Sequence, residues 1–334
     1  MISVVVPIYN EQEIIPILHQ AVAEAMEATN ENWEVVYVND GSKDASLQLL
    51  RDLQRKDSRI VVVELSRNWG HMGALWAGMQ TAGGEAVILM DGDLQDPPHV
   101  LPDFVRAWRR GAQVVTAVRR SRQESRKVLA ALFPLFHRLL GALSDYPIPL
   151  NSGIFGLLDR QALDSINSLQ ECNRYLPGLR AWVGYRTAVV YYDRLDRAAG
   201  EGKLTFISRI KYAMDAITSF SYKPLRLSFV LAGLAGCGAL VLGIASIFST
   251  HPTSVIGLGM MATVFLVGAF LLTCLGIIGE YVGRVYDEVR RRPLSIINQV
   301  HRAEEAYAHP TVHLQVGSRN GSGSDKEEKV TSAA

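Results

Sequence analysis

The sequence has few cysteines and almost no net charge, and each of these facts excludes classes of protein. The three cysteines among 334 residues, Cys172, Cys237 and Cys274, have neither paired nor metal-type spacing, which argues against a disulfide framework and a zinc site. Lysine and arginine number 34 against 33 for aspartate and glutamate, so the formal net charge is +1. A nucleic-acid binder would need a basic excess to neutralise phosphates. We therefore expect a reducing compartment and no nucleic-acid partner.

Two further signatures are missing from the sequence. The first residues, MISVVVPIYNE, lack the basic start and the cleavage site of a signal peptide, and their apolar run is too short to cross a membrane. No Gly-x-Gly-x-x-Gly follows any apolar run, so a dinucleotide fold of the dehydrogenase type is unsupported. We expect the chain to begin with a β-strand.

Short apolar runs alternate with helix-like segments in roughly the first 120 residues. The runs are ISVVVPIY, WEVVYVND, RIVVVELS, EAVILMDGD and AQVVTAVRR. Valine and isoleucine dominate them without polar alternation, which is typical of strands covered on both faces. Amphipathic stretches lie between them, for example at Ser46–Arg55 and Met72–Thr81. The pattern predicts an α/β fold with a doubly wound, mostly parallel sheet that binds ligands at the carboxyl ends of its strands.

Two long windows without charged residues, Leu227–Thr250 and Thr253–Gly279, follow later in the chain. Each exceeds the roughly 20 apolar residues that cross a bilayer, and the alternative of two buried core helices would need a large surrounding domain. Basic residues flank only the outer ends of the pair, at Lys223, Arg226, Arg284 and Arg290 to Arg292. The positive-inside rule then predicts a multi-pass protein of the inner or plasma membrane whose termini and catalytic half are cytoplasmic.

Two other segments, Val128–Leu143 and Phe206–Phe220, carry an apolar helical stripe beside basic residues. The pattern is typical of helices in the membrane interface, with ordinary amphipathic helices packed on the sheet as the alternative. The predicted organisation is a cytoplasmic catalytic domain at 1–200, with an interfacial helix at 128–143, a juxtamembrane amphipathic helix at 201–224, transmembrane helices at 225–250 and 254–281, a cytoplasmic segment at 282–315 and a disordered tail at 316–334. Glycines of the first span, Gly233, Gly236, Gly238 and Gly243, are compatible with a homo-oligomer.

The stretch VILMDGDLQDPP, residues 87–98, places Asp91, Asp93 and Asp96 directly behind an apolar run. Carboxylates this close repel one another unless positive charge lies among them. The prolines cannot continue a strand, so the chain turns away and leaves the carboxylates at the tip of the strand. Hard oxygen ligands suit Mg²⁺ or Mn²⁺, which complete their coordination with substrate phosphates. The alternative is a solvated acidic turn.

Several motifs together resemble a known family. They are VVVPIYNE, VNDGSKD, LSRNWGH, DGDLQDPP and VRRSR, followed by LNSGIFGLLDR, RAWVGYR, SFSYKPLR and LGIIGEYVGRVYDEV. In order and spacing they resemble the family 2 inverting glycosyltransferases of the GT-A fold. The later motifs are similar to those of the branch that uses polyprenyl phosphates, which includes dolichol-phosphate mannose synthases and GtrB-type enzymes. The resemblance covers roughly residues 1–300.

The resemblance implies a role for individual residues. Pro7, Tyr9, Asn10 and Glu11 would line the nucleotide pocket, and Asp40 would hold the base. Asp91, Asp93 and Gln95 would bind Mg²⁺ or Mn²⁺, with Asp91 and Asp93 catalytic. Arg119, followed by Arg122 or Arg126, would hold phosphates, as bidentate guanidinium groups do, with Arg119 and Arg126 also catalytic. Lys203 would meet the acceptor phosphate. For these three arginines and for Lys203 a solvated surface charge is the alternative.

Two positions depart from the family pattern. Ile154 stands where many members have an aspartate that has been considered a catalytic base, and His71 stands where members usually have lysine. The first departure does not prevent transfer to a phosphate, because a phosphate monoester is largely a dianion at neutral pH. We therefore assign no general base, and the contact expected at His71 is in doubt.

The resemblance implies an enzyme that moves a hexose from a nucleotide-diphosphate sugar to a polyprenyl phosphate of the undecaprenyl or dolichyl type at the cytoplasmic leaflet. A UDP-glucose-type donor is favoured over GDP-linked sugars. One alternative is a processive polysaccharide synthase, although the Q-x-x-R-W motif of those enzymes is missing and the nearest string is QECNRY. The other is a catalytically degenerate sugar-nucleotide-binding scaffold.

Overall fold

The structure is a computed structural model that describes residues 1–120, 152–169, 171, 174–194, 233–238, 241 and 253–303. The segments predicted as an interfacial helix at 128–143, a juxtamembrane helix at 201–224 and a tail at 316–334 lie outside these residues. The first predicted membrane span, 225–250, also lies outside them, apart from the helical residues 233–238 and residue 241.

The described elements alternate between strands and helices in the first 120 residues, as the sequence predicts. The strands are β1 (Ile2–Ile8), β2 (Trp33–Asn39), β3 (Ile60–Leu65), β4 (Ala86–Leu89), β5 (Val114–Arg119), β6 (Ser152–Asp159), β7 (Thr187–Tyr192) and β8 (Ile297–His301). The helices are α1 (Ile15–Glu27), α2 (Ser46–Lys56), α3 (His71–Thr81), α4 (Leu101–Arg109), α5 (Arg160–Ser168), α6 (Leu176–Trp182) and α7 (Thr253–Arg290), with a short 3₁₀ turn at Pro98–Val100.

The strands form one eight-stranded sheet in the order β7-β5-β6-β4-β1-β2-β3-β8. β1 pairs in parallel with β2 and β4, β2 with β3, and β5 with β7. β6 is antiparallel to both β4 and β5, and β8 is antiparallel to β3. All strands except β6 and β8 therefore run in one direction, and their carboxyl ends meet at one edge. The prediction of a mostly parallel sheet is confirmed. The prediction did not include these two reversed strands.

Apolar layers cover both faces of the sheet, which explains the unbroken valine and isoleucine runs. Val4 and Val6 of β1 belong to a core with α1 and α4, whereas Val5 faces a second core with α3, α5 and α6. This arrangement follows from the two-residue period of a strand, which sends successive side chains to opposite faces.

Helix α3 differs from the amphipathic helix predicted at Met72–Thr81. Every residue from Gly73 to Met79 is buried, so the helix is present as predicted but its amphipathic character is wrong. The helix contacts β1, β2 and β3 on one side and α5 on another. Small residues permit this enclosure, because a Cβ atom on Gly78 would lie 2.9 Å from Val38 Cγ2 and would overlap Val5 Cγ1.

Helix α7 contains the second predicted membrane span. Its segment Gly259–Arg290 has 32 residues, and its most apolar 18-residue window has a mean hydropathy of 2.4 and no buried residue, which by length and composition suits a membrane span. A short connection follows the helix and leads into β8, which pairs with β3. The chain after the apolar helix is thereby fixed to the edge of the sheet.

The contact of α3 with the sheet generates a stability prediction. Gly78→Ala should lower the melting midpoint of the full-length protein in detergent by about 2–6 °C, because overpacking by about 1–3 kcal/mol outweighs a gain of about 1 kcal/mol in helix propensity. The matched control is Gly83→Ala, whose Cβ would lie at an ordinary 3.5 Å from its nearest neighbours. Equal midpoints for both variants in thermal unfolding monitored by tryptophan fluorescence would contradict the packing described.

Candidate functional site

The candidate site lies at the edge of the sheet where the parallel strands end. Asp40 follows β2, Asp91 follows the end of β4, and Arg119 and Tyr192 are the last residues of β5 and β7. The reversed strand β6 begins at the same edge, where Ser152 pairs with Val118. The topology thus brings together residues that are far apart in the sequence.

A close backbone approach holds the acidic turn against the end of β1. The Met90 N–H donates to the Val5 carbonyl at 3.2 Å. A Cβ atom on Gly92 would lie 2.8 Å from the Pro7 carbonyl oxygen and 2.9 Å from Ile8 Cδ1. Glycine between the two aspartates is therefore a steric requirement of the turn. The Pro7 carbonyl thus lies beside Gly92, and the role of Pro7 in a nucleotide pocket stays a prediction.

Asp91 faces a basic side chain. Its Oδ1 atom lies 3.2 Å from His71 Nε2, at the first residue of α3. Burial alone would raise the pKa of Asp91, but His71, Arg194 and Arg119 hold this pKa below its usual value. Burial likewise opposes protonation of His71, yet Asp91, Asp40 and Asp93 raise the pKa of its imidazole. His71 therefore contacts Asp91, whereas the family contact in doubt at this position is not tested.

Asp93 and Gln95 form a tight turn in which both side chains are partly exposed. The Gln95 N–H donates to Asp93 Oδ1 at 3.1 Å, and Leu94 between them has a φ of 56°. Asp91, Asp93 and Gln95 together supply two carboxylates and one amide to this edge.

A divalent cation fits this donor set. Within the described part of the chain no three His, Cys, Asp or Glu side chains form a protein cage for a metal. Mg²⁺, however, is usually held by one or two carboxylates and completed by water and substrate phosphates. The buried Asp91 Oδ1 atom lies 3.2 Å from His71 Nε2 but accepts no aligned hydrogen bond from the described residues, so it keeps lone-pair capacity for a cation.

Arg119 and Asp96 lie on the other side of the acidic turn. Arg119 Nη2 is 3.9 Å from Asp96 Oδ1, and Asp96 is almost fully buried. Burial and the neighbouring Asp91 raise the pKa of Asp96 to about 6, against the opposing effects of Tyr192, Arg119 and Arg194. Asp96 thus belongs to a buried network rather than to the open carboxylates.

The loops after β1 and β2 form the second half of the site. The Lys43 N–H donates to Asn10 Oδ1 at 2.8 Å, and the Asn10 N–H donates to Ser42 Oγ at 3.0 Å. Asn10 has a φ of 54°, a conformation that asparagine tolerates better than most residues. The Glu11 N–H donates to Ser46 Oγ at 3.0 Å. These bonds join the segment containing Tyr9, Asn10 and Glu11 to the loop that follows Asp40.

Asp40 itself is buried and supports the turn between β3 and α3. Its Oδ1 accepts a hydrogen bond of 2.6 Å from the Trp69 N–H. Burial raises the pKa of Asp40 although the Trp69 and Gly70 amides lower it. Its expected contact with a nucleotide base remains a prediction.

Ile154 lies on β6 at the same edge. Its side chain is partly buried against the apolar cluster of α3 and α6, and its carbonyl accepts a hydrogen bond of 2.5 Å from Arg180 Nη2. Burial lowers the pKa of Arg180 to about 9. The isoleucine side chain has no titratable group, and the identity of any general base is not tested.

Some predicted site residues lie outside the described structure, and other residues were missed. Arg122, Arg126 and Lys203 are in undescribed segments and remain predictions. Arg194 and Tyr192 were not predicted, yet Arg194 affects the charge of Asp91 and Asp96. The only sequence signal for them is the run TAVVYY, which ends at Tyr192 two residues before Arg194 and whose strand was not predicted.

The mostly parallel sheet with an acidic turn at its carboxyl edge defines an α/β protein of the GT-A type. The family model described as glycosyl transferase family 2 matches residues 3–166. The chain belongs to this family.

Relatives match nearly the whole chain. It is 38% identical over 315 residues to an uncharacterised glycosyltransferase, YkcC, of Bacillus subtilis (strain 168), covering 93% of this chain and 98% of the relative. It is 36% identical over 304 residues to the SfII prophage-derived bactoprenol glucosyl transferase of Shigella flexneri, covering 90% and 98%. A solved structure, the mannosyltransferase PcManGT from Pyrobaculum calidifontis in complex with GDP-Man and Mn²⁺, is 18% identical with a TM-score of 0.41, covering 82% of this chain and 85% of that chain.

The contact between His71 and Asp91 predicts an effect on metal binding. His71→Ala should weaken Mn²⁺ binding in the presence of UDP by about 10-fold or more, because groups that orient a metal ligand typically contribute this much to affinity. The electron paramagnetic resonance signal of free Mn²⁺ during a protein titration measures the affinity without reference to catalysis.

His99→Ala is the matched control, since His99 is exposed on the 3₁₀ turn that follows the acidic turn. It should leave Mn²⁺ affinity unchanged. If His71→Ala behaves like His99→Ala, His71 does not orient Asp91 for metal binding.

Proposed function

We propose that this protein is a membrane-bound inverting glycosyltransferase that moves a hexose from a nucleotide-diphosphate sugar to a polyprenyl phosphate. The observation that carries the proposal is the meeting of the Asp91–Gln95 turn and Arg119 at one sheet edge, in a chain whose apolar helix α7 leads back to that sheet. The name of the Shigella flexneri relative, bactoprenol glucosyl transferase, supports the same acceptor class and a glucosyl donor.

The donor binds, in this proposal, along the carboxyl edge of β1, β2 and β4. Tyr9, Asn10 and Glu11 line the nucleotide pocket, and Asp40 meets the base. UDP is favoured over GDP. The hydrogen-bonded loops after β1 and β2 give this pocket a fixed shape before the nucleotide arrives, which reduces the ordering cost of binding.

Asp91, Asp93 and Gln95 would hold the divalent cation, Mg²⁺ or Mn²⁺. When bound, the cation neutralises charge on the diphosphate and so makes it a better leaving group. His71 keeps Asp91 in place, and Gly92 allows the turn to lie against β1. Arg119 contributes a fixed guanidinium from the other side of the turn, a group suited to bidentate contact with phosphate oxygens.

In the reaction, a phosphate oxygen of the acceptor attacks the anomeric carbon of the sugar. The new carbon–oxygen bond forms as the bond to the nucleoside diphosphate breaks, and the diphosphate leaves with the electron pair. No proton has to be removed from an acceptor that is already a dianion. The chain therefore needs to position the donor diphosphate and the acceptor phosphate and to neutralise their charge. It does not need to supply a base, which suits isoleucine at position 154.

The membrane gives the lipid acceptor its location. The uncharged part of α7, residues 253–279, would span about 40 Å at 1.5 Å per residue, more than the roughly 30 Å hydrocarbon core. The last turns of α7 carry Glu280, Arg284 and Arg290 and enter water, and β8 then pairs with β3. The sheet is thereby kept near the headgroups, where a polyprenyl phosphate presents its phosphate at the cytoplasmic leaflet.

The proposal predicts a labelled lipid product. Membranes containing the protein, supplied with UDP-[¹⁴C]glucose, polyprenyl phosphate and Mn²⁺ or Mg²⁺, should transfer label into an organic-extractable lipid. Asp93→Asn should reduce this transfer by at least about 100-fold, because the charge stabilisation from a bound metal amounts to several kcal/mol.

Asp52→Asn serves as the matched control, since Asp52 is an exposed aspartate on α2. Label in an insoluble polymer would favour a processive synthase. Binding of UDP without any labelled lipid from a panel of donors would favour a non-catalytic scaffold. Full activity of Asp93→Asn would contradict the role assigned to the acidic turn.

The nucleotide preference is tested separately by thermal stabilisation. UDP-glucose should raise the melting midpoint of the protein in detergent more than GDP-mannose at equal concentration, because a ligand selective for the folded state stabilises it according to its affinity. A larger shift with GDP-mannose would reverse the preference for uridine nucleotides.

A further inference from the structure

Asp96 is the third carboxylate of the acidic stretch and has no part in the proposed metal site. Its side chain is only 1% exposed. The Tyr192 hydroxyl donates to Asp96 Oδ1 at 2.7 Å across 96 positions of sequence. A buried carboxylate costs free energy unless it is hydrogen-bonded or paired. The hydrogen bond from Tyr192 offsets this cost and connects Asp96 to the residue that Tyr192 contacts next.

The same hydroxyl continues the network to Arg119. Arg119 Nε donates to Tyr192 Oη at 2.9 Å. A tyrosine hydroxyl has one proton to donate and lone pairs with which to accept. Because its proton points to Asp96, its lone pair is directed at the guanidinium. The chain of hydrogen bonds thus has one direction, from Arg119 through Tyr192 to Asp96.

The backbone and an aromatic stack fix the tyrosine in this position. Tyr192 and Arg119 are paired in register where β7 runs beside β5. The Tyr192 ring packs edge-on against Phe155 at a centroid distance of 5.3 Å, and Phe155 packs against Phe104 at 4.8 Å. The hydroxyl therefore has little freedom to follow a moving arginine.

The hydrogen bond to Tyr192 anchors the Arg119 guanidinium on one side. Its Nε atom is used, and Nη2 lies 3.9 Å from Asp96, beyond hydrogen-bond distance. Arg119 makes no further hydrogen bond to the residues that the structure describes. Its side chain is 21% exposed, and its charge acts on Asp91 across the acidic turn. The two Nη groups are thus the part of the side chain left for a ligand at this edge.

We propose that Tyr192 and Asp96 are positioning residues that orient the Arg119 guanidinium so that its Nη groups bind phosphate oxygens of a reactant. The inference rests on the proposed function. An unanchored arginine would have to be ordered when the phosphate binds, whereas the anchored fork is already oriented. The phosphate belongs either to the donor diphosphate or to the lipid acceptor, and the experiment separates the two.

Tyr192→Phe removes the hydroxyl and keeps the aromatic stack. We expect the KM for one phosphate substrate, donor or acceptor, to rise by about 10- to 100-fold, a range typical of a misplaced binding group, with the melting midpoint nearly unchanged. A rise for UDP-glucose assigns Arg119 to the donor, and a rise for polyprenyl phosphate assigns it to the acceptor. Tyr191→Phe is the matched control, because Tyr191 is the neighbouring residue of β7 and is 59% exposed.

A double-mutant cycle separates positioning from a structural role. In the Arg119→Ala background the effect of Tyr192→Phe should disappear, since the two residues act as one unit. Asp96→Asn retains an oxygen that accepts from Tyr192 and should have a smaller effect on the same KM than Tyr192→Phe. The proposal would be overturned by unchanged KM values in Tyr192→Phe. It would also be overturned if Tyr192→Phe raised KM equally in the presence and in the absence of Arg119.

Binding measurements distinguish failure of this inference from failure of the proposed function. Calorimetric titration with UDP and Mn²⁺, and separately with a short-chain polyprenyl phosphate, requires no turnover. If the wild-type protein forms no labelled lipid but Tyr192→Phe weakens one of these ligands in the presence of Arg119 and not in its absence, positioning stands and the assigned reaction fails. Affinities unaffected by both Tyr192→Phe and Arg119→Ala would overturn the positioning role.

Discussion

Repulsion among Asp91, Asp93 and Asp96 is the constraint on which the arrangement of this edge depends. The chain places the three carboxylates in different surroundings: Asp91 faces His71, Asp93 caps a turn and is partly exposed, and Asp96 is buried beneath Tyr192. Each solution needs a different part of the fold, namely the start of α3, the backbone after β4 and the end of β7. The carboxylates that stay near the surface are the two that suit a divalent cation.

The direction of the strands turns these local solutions into one site. Parallel strands bring their carboxyl ends to the same edge, so residues separated by up to about 180 positions meet there. The reversed strand β6 contributes its first residues to this edge. Strand β8 pairs with β3 and attaches the chain that follows the apolar helix α7 to one side of the sheet.

The sequence predicted the parts of the fold and site that depend on neighbouring residues. The buried strands β1 to β5 followed from valine and isoleucine runs. The short motif DGDLQDPP predicted a cation site with Asp91 and Asp93, to which the family resemblance added Gln95, and that site stays a prediction. Strand β8, with the residues INQVH, is too polar to be recognised without its partner β3. The contacts of Asp96 with Tyr192 and of His71 with Asp91 join distant segments, and their spacing along the chain has no period that would predict them. The burial of α3 likewise depends on α5, which covers it only in the folded structure.

The central claim is that the acidic turn and the diphosphate of the donor hold one cation between them. Pulsed electron-nuclear double resonance of Mn²⁺ in the complex with UDP-glucose, using protein labelled with ¹³C in its aspartate carboxylates, tests this most directly. We predict hyperfine coupling of the bound Mn²⁺ both to phosphorus of the diphosphate and to carboxylate carbon. Coupling to phosphorus without any coupling to aspartate, or undiminished UDP-glucose binding after removal of all divalent metal, would contradict the claim.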